Sequence, residues 1–193
     1  MQMAQATGYL LRGVVPAAEK GYRDVRIEVK VAGDYEMGIA FAAAAGGGTL
    51  KGSPYTVTVN PGKASAETTE LPSELQGGLK TAVGETGSFT LQAKDQFKNL
   101  SIRGGDKIRV SAAGALSAGI VDQQNGTYVI TYQCDESGVH KLEVKIGETH
   151  VKGSPLNVTC EPGPIHVPSC ELLHSGEAQN VVAGTPYVLT IRA

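Results

Sequence analysis

Residues Lys51-Gly-Ser-Pro-Tyr-Thr-Val-Thr-Val-Asn-Pro-Gly62 recur as Lys152-Gly-Ser-Pro-Leu-Asn-Val-Thr-Cys-Glu-Pro-Gly163, 101 positions further along the chain. A period of about one hundred residues is the size of one β-sandwich module, so the chain reads as part of a tandem array. Both copies place a Gly-Ser-Pro turn before an alternating run. Proline has no N–H to donate, which suits the first residue of a strand. Arrays of like modules transmit geometry more often than they run chemistry, so a scaffold is expected rather than an enzyme.

Outward from that repeat, residues 64 to 163 carry further period-two stretches. Phe89, Leu91 and Ala93 alternate with Thr90 and Gln92, and Ile108 and Val110 alternate with Lys107, Arg109 and Ser111. After Asn125-Gly126, Tyr128, Ile130 and Tyr132 alternate with Val129 and Thr131, and Leu142, Val144 and Ile146 alternate with charged residues. Leu156, Val158 and Cys160 close the set, with weaker strands expected near Ser65–Thr69 and Ala115–Val121. Short half-buried strands separated by turn signals predict an all-β, immunoglobulin-like sandwich of seven strands.

The flanks use the same alphabet. Val25, Ile27, Val29, Gly33, Tyr35, Met37, Ile39 and Phe41 match Ile130, Tyr132, Cys134, Gly138, His140, Leu142, Val144 and Ile146 at one constant offset. Ala42 to Gly48 then lengthens a hairpin loop, and Val181–Ala193 matches Thr81–Ala93. Three units are therefore expected. Residues 1–62 form the later part of one repeat, with Met1–Thr7 as a poor third strand. Residues 63–163 form a complete repeat, and 164–193 the first two strands of another. Head and tail together hold most of one more repeat, which makes head-to-tail self-association a possible partner mode.

The chain of 193 residues has 25 glycines, no tryptophan and a formal charge of −2. Near-neutral charge gives no electrostatic reason to bind nucleic acid or acidic lipid, and the longest bland run is too short to cross a bilayer. No targeting segment is visible. Three cysteines, Cys134, Cys160 and Cys170, cannot all pair within one chain, and none sits in a C-x-x-C arrangement, so a reduced cytosolic setting is expected. Three N-x-S/T triplets, at Asn99, Asn125 and Asn157, keep an extracellular alternative open.

No metal, cofactor or catalytic constellation is expected. His140 fills the slot that Tyr35 fills in the head and reads as a half-buried strand residue; His150, His166 and His174 lie in loops without acids or cysteines at ligand spacing. Cys160, on an inward position, reads as a small hydrophobe. Asp106 and Asp122 read as turn residues, and Gly46-Gly-Gly-Thr-Leu-Lys-Gly-Ser lacks the order of a phosphate loop.

The succession Gly84, Phe89-Thr-Leu-Gln-Ala-Lys-Asp95, Lys98-Asn99, Gly104-Gly-Asp106, Asp122-Gln-Gln-Asn-Gly-Thr-Tyr128, Gly138-Val-His140 and Gly153-Ser-Pro155 to Gly163 resembles the filamin-type immunoglobulin repeat. Asp122-Gln-Gln-Asn-Gly departs from that family's more acidic turn, and no calponin-homology pair is present to carry actin binding. The resemblance implies a non-catalytic spacer and docking module, cytoskeletal by family, in which a partner peptide adds as a strand to the groove between the third and fourth strands. Here the groove floor would be Ile108, Val110 and Ile120, rimmed by Lys107 and Arg109, with Ser111 on the same strand. An adhesion or gamete-surface protein with such repeats is the alternative. On physical grounds, Asn125-Gly126 supplies a tight connection tolerant of positive φ, and Asp95 and Asn99 are expected to cap the loop after the second strand.

Overall fold

A computed structural model describes residues 27–41, 47–165, 167–173, 182–184, 186 and 188–192. The expectations for Met1–Thr7, Val25, residues 42–46, His166, His174 and much of the 174–193 stretch lie outside them.

Residues 64–163 form a two-layer sandwich. One layer comprises β5 (Leu79–Ala82), β7 (Ile108–Ala113), β10 (Gly138–Ile146) and β12 (Leu156–Glu161), with β10 central between β7 and β12. The other runs β6 (Thr86–Gln92), β9 (Thr127–Cys134), β8 (Leu116–Asp122) in spatial order. A two-residue strand, β11 (Thr149–His150), continues the hairpin that leaves β10. Alternation explains the packing: every second residue of β9, from Tyr128 to Cys134, is buried, and so are Leu142 and Val144 on β10 and Leu156, Val158 and Cys160 on β12. These meet Phe89 and Leu91 of β6 in a single apolar core. The β8–β9 turn has left-handed backbone at Gln124 and Gly126. Gly126 sits at φ 86°, and a side chain there would run into the Ser101 carbonyl.

Two expectations need correction. Ser65–Thr69 is not a strand: the N–H groups of Thr68 and Thr69 both turn back to the Ser65 carbonyl. The first strand is β5, which runs parallel to β12 with Leu79 beside Val158 and Ala82 beside Glu161. Thr69 is fully buried, and its hydroxyl accepts the Lys94 N–H and donates to the Lys94 carbonyl, so side-chain bonds and single backbone bonds, such as Ser65 N–H to the Lys94 carbonyl, hold this stretch in place of a ladder. The second correction concerns sulfur. Cys134 and Cys160 form a disulfide joining β9 in one layer to β12 in the other, Cα atoms 6.3 Å apart. The two residues lie 26 positions apart in sequence, and only the closure of the sandwich brings them face to face.

Residues 33–59 share a pairing register and two side-chain contacts with the sandwich. Strand β1 (Gly33–Met37) pairs with β4 (Tyr55–Val59), Gly33 opposite Val59 and Tyr35 opposite Val57, as Gly138 lies opposite Cys160 and His140 opposite Val158. The Ser53 hydroxyl accepts the Ile39 N–H at 2.7 Å, and the Ser154 hydroxyl accepts the Val144 N–H at 2.8 Å. The Tyr35 hydroxyl donates to the Val31 carbonyl, four residues back, as His140 Nε2 contacts the Glu136 carbonyl. Short strands β2 (Ala40–Phe41) and β3 (Gly48–Thr49) form a hairpin, and β13 (Glu171–Leu172) pairs with β14 (Ile191–Arg192) in the tail.

Candidate functional site

Strand β7 borders its sheet. It pairs with β10 on one side, and no strand lies on the other among the described residues. The pairing register assigns its backbone groups. The Lys107 carbonyl accepts the Gly147 N–H, which makes that position a hydrogen-bonded pair. Antiparallel pairs alternate, so Arg109, Ser111 and Ala113 also bond to β10, whereas Ile108, Val110 and Ala112 turn their backbone groups outward. The Ile108 N–H is taken by the Asp106 carbonyl at 2.9 Å. The open edge therefore offers the N–H and C=O groups of Val110 and Ala112 and the carbonyl of Ile108.

Side chains divide by the same alternation. Ile108, Val110 and Ala112 are half-buried and pack against the core, as do Ala118 and Ile120 on β8. Lys107, Arg109 and Ser111 point to the outer face of the sheet instead. There Arg109 pairs with Glu148 at 2.8 Å, and the Ser111 hydroxyl donates to Glu143. The Glu143 carboxyl is held below its ordinary value by the hydrogen bond from Lys145. The expected rim is thus an exterior charged face, and the apolar floor alone lines the flank between the two layers. Strand β7 passes to β8 through Gly114, at φ 81°.

A second feature ties residues 30, 32 and 62 to the loop after β6. Asp95 is 1% exposed, yet its carboxylate accepts four hydrogen bonds. Oδ1 takes the N–H groups of Phe97 and Asn99, both at 2.9 Å, and Oδ2 takes the Gly62 N–H and the Asn99 side-chain amide, both at 2.8 Å. Burial alone would push the carboxyl up; these donors, led by the Asn99 amide, outweigh it and hold it below the ordinary value. Asn99 in turn donates to the Lys30 carbonyl and accepts the Ala32 N–H. The expected cap of this loop is therefore present, and it also grips the head and the linker, which its local spacing did not reveal. Lys98 adopts φ 69° inside this loop, its N–H bonded to the Asp95 carbonyl.

Among the described residues one group brings three possible metal donors together: Cys134, His140 and Cys160, within 4.8 Å of one another. No helix among them is long and apolar enough to cross a membrane.

The Filamin/ABP280 repeat profile matches residues 58–157. The chain belongs to the filamin repeat family. Residues of this filamin-type chain are 34% identical over 95 positions to E3 ubiquitin-protein ligase TRIM71 of Rattus norvegicus, covering 47% of the chain and 11% of that protein. Filamin-A of Drosophila melanogaster is 26% identical over 148 positions, covering 74% of the chain and 6% of that protein. The chain thus spans a small fraction of its relatives' length. Among solved structures, the Lin-41 filamin domain covers 53% of this chain and 100% of its own, at 13% identity and a TM-score of 0.45.

Proposed function

We propose that this filamin-type chain is a non-catalytic spacer and docking module whose complete repeat, residues 63–163, accepts an extended partner segment as an added strand along β7. The observation that carries the reading is the outward set of backbone groups at Val110 and Ala112, lying over the apolar side chains of Ile108, Val110 and Ile120. An added strand would take its affinity from those main-chain groups and its selectivity from alternate side chains resting on the floor. Lys107, Arg109 and Ser111 would tune the approach from the outer face. Affinity should be modest, because the segment must be ordered on binding.

Residues 1–62 and 164–193 are read as parts of neighbouring repeats; the shared register of β1–β4 and β10–β12 supports the first assignment. The similarity to TRIM71 favours a parent protein in which this repeat docks partners while other domains act, and a cytoskeletal setting rests on Filamin-A. The Cys134–Cys160 disulfide favours a second setting, an extracellular module, since such bonds persist in oxidising compartments. Occupancy of exposed Asn125 by a glycan in native material would decide for the second.

The docking test pans the 1–193 chain against a displayed library of random linear peptides. Selected peptides should shift the backbone amides of 108–113 and 116–121. Val110→Pro removes an outward N–H that β10 does not use, so it should abolish binding while leaving the unfolding transition in place. Shifts confined to another strand, or unchanged binding by Val110→Pro, would refute the placement.

A further inference from the structure

The head shows what this fold requires at the positions of Cys134, His140 and Cys160. At the same constant offsets that align the repeats, those positions hold Val29, Tyr35 and Val59, all half-buried. The sandwich pattern is therefore met by two valines and a tyrosine, and sulfur and imidazole are additions that packing does not explain.

The donor chemistry of the additions is coherent. Cys134 is 0% and Cys160 3% exposed, and each comes from a different layer of the sandwich. His140 Nε2 lies 3.0 Å from the Glu136 carbonyl, which can only accept, so Nε2 carries a proton and Nδ1 is the lone-pair nitrogen of the neutral ring. Tyr35 makes the same bond to Val31 with its hydroxyl, so the bond to the carbonyl does not explain a histidine, whereas a second ring nitrogen does. An imidazole whose outer N–H is anchored on a carbonyl is the usual arrangement of a metal-binding histidine. Space beside Nδ1 is kept by Gly114, where a Cβ would come within 2.7 Å of it.

We propose that reduction of the Cys134–Cys160 disulfide creates a site for one soft divalent cation of the zinc type, held by the two thiolates and His140. The repeat then carries either a covalent staple between its layers or an ion in the same place. A dithiol reductant performs the exchange: one of its thiolates bonds a cysteine sulfur and releases the other cysteine as thiolate. Its second thiol then displaces the protein and leaves as a cyclic disulfide. The cation replaces the two thiol protons, which pass to solvent, and water can complete a tetrahedron. Two thiolates and an imidazole suit zinc, and at Zn–S of ~2.3 Å the sulfurs stand roughly 3.8 Å apart. That separation is readily spanned from Cα atoms 6.3 Å apart.

The test uses the 1–193 chain with Cys170→Ser, so that the third thiol supplies no ligand. Reduced by dithiothreitol and desalted without oxygen, it is titrated with Co2+. The expected result is saturation near one equivalent, with sulfur-to-cobalt charge transfer and tetrahedral ligand-field bands, all reversed by Zn2+. The disulfide form should show none. His140→Tyr, which restores the head's residue and its carbonyl bond, should weaken binding at least ~10-fold. The pair Cys134→Val with Cys160→Val, also copied from the head, should keep the fold by circular dichroism and lose the charge-transfer band. Absence of that band in the reduced chain, binding by the disulfide form, or undiminished affinity in His140→Tyr would overturn the proposal.

Discussion

Replacing Asp95 by asparagine exchanges one carboxylate oxygen for an NH2 group in a site built wholly of donors. Whichever way the amide is turned, two donors face it: the Gly62 N–H and Asn99 Nδ2 on one side, or the Phe97 and Asn99 N–H groups on the other. A hydrogen bond to a charged group contributes about 1.5–3 kcal/mol, so losing two costs on the order of 3–6 kcal/mol. Relaxation of the Asn99 side chain toward water favours the lower end. For a repeat of this size 1 kcal/mol corresponds to roughly 4–8 °C, so Tm should fall by at least ~12 °C. The pH dependence has a definite sign. The folded carboxyl lies below its unfolded value of ~3.9, so its contribution is complete above that pH. The contribution is lost as pH drops through the lower folded value. Thermal and urea unfolding of the 1–193 chain, followed by circular dichroism between neutral pH and pH ~2, measures both effects. Asp95→Asn should be less stable at neutral pH and less sensitive to acid than the parent. A Tm within ~2 °C of the parent, or an equal acid slope, would refute the reasoning.

Tyr128→Phe should cost about 1–2 kcal/mol in urea unfolding, because the Asp106 N–H, which donates to the Tyr128 hydroxyl at 3.0 Å, loses its acceptor. Gly87→Ala should cost about 1–3 kcal/mol, since a Cβ on β6 would enter the space of the Tyr132 ring; an unchanged midpoint would place that ring elsewhere. Deleting residues 164–193 should leave the main unfolding transition within ~2 °C, because among the described residues β13 and β14 form a two-stranded sheet of their own. If head-to-tail association occurs, sedimentation mass should rise with concentration in the full chain and stay constant in that deletion.

Much of the sandwich was legible because its strands alternate. β6, β9, β10 and β12 bury every second residue over most of their lengths, and a period of two is visible without a partner strand. Strand β5 was missed for a physical reason: Leu-Lys-Thr-Ala pairs in parallel with β12, and only Leu79 is buried, so no alternation marks it. Alternation marked Ile108 to Ser111 as a strand, which is part of β7, but which of its backbone groups turn to the open edge depends on register. Val110 and Ala112 could be assigned free backbone groups only once Lys107 was seen to bond Gly147. Asp95 was expected to close a loop, and its hold on Gly62 spans 33 positions, which no local spacing encodes. The pairing of Cys134 with Cys160 was hidden in the same way, since one strand from each layer must close over the core first.

The parallel pairing of β5 with β12 has a mechanical consequence. These are the first and last strands of the repeat, and parallel neighbours have their chain ends on opposite sides of the shared ladder. In an array under tension, β5 is drawn from its N-terminal end and β12 from its C-terminal end, so the two are pulled past one another along their axes. The contacts from Leu79–Val158 to Ala82–Glu161 are then loaded together in shear, not peeled apart one after another. A Pro placed at whichever of Lys80 or Thr81 donates to β12 should lower the rupture force in single-molecule pulling along the chain by more than its effect on Tm would suggest.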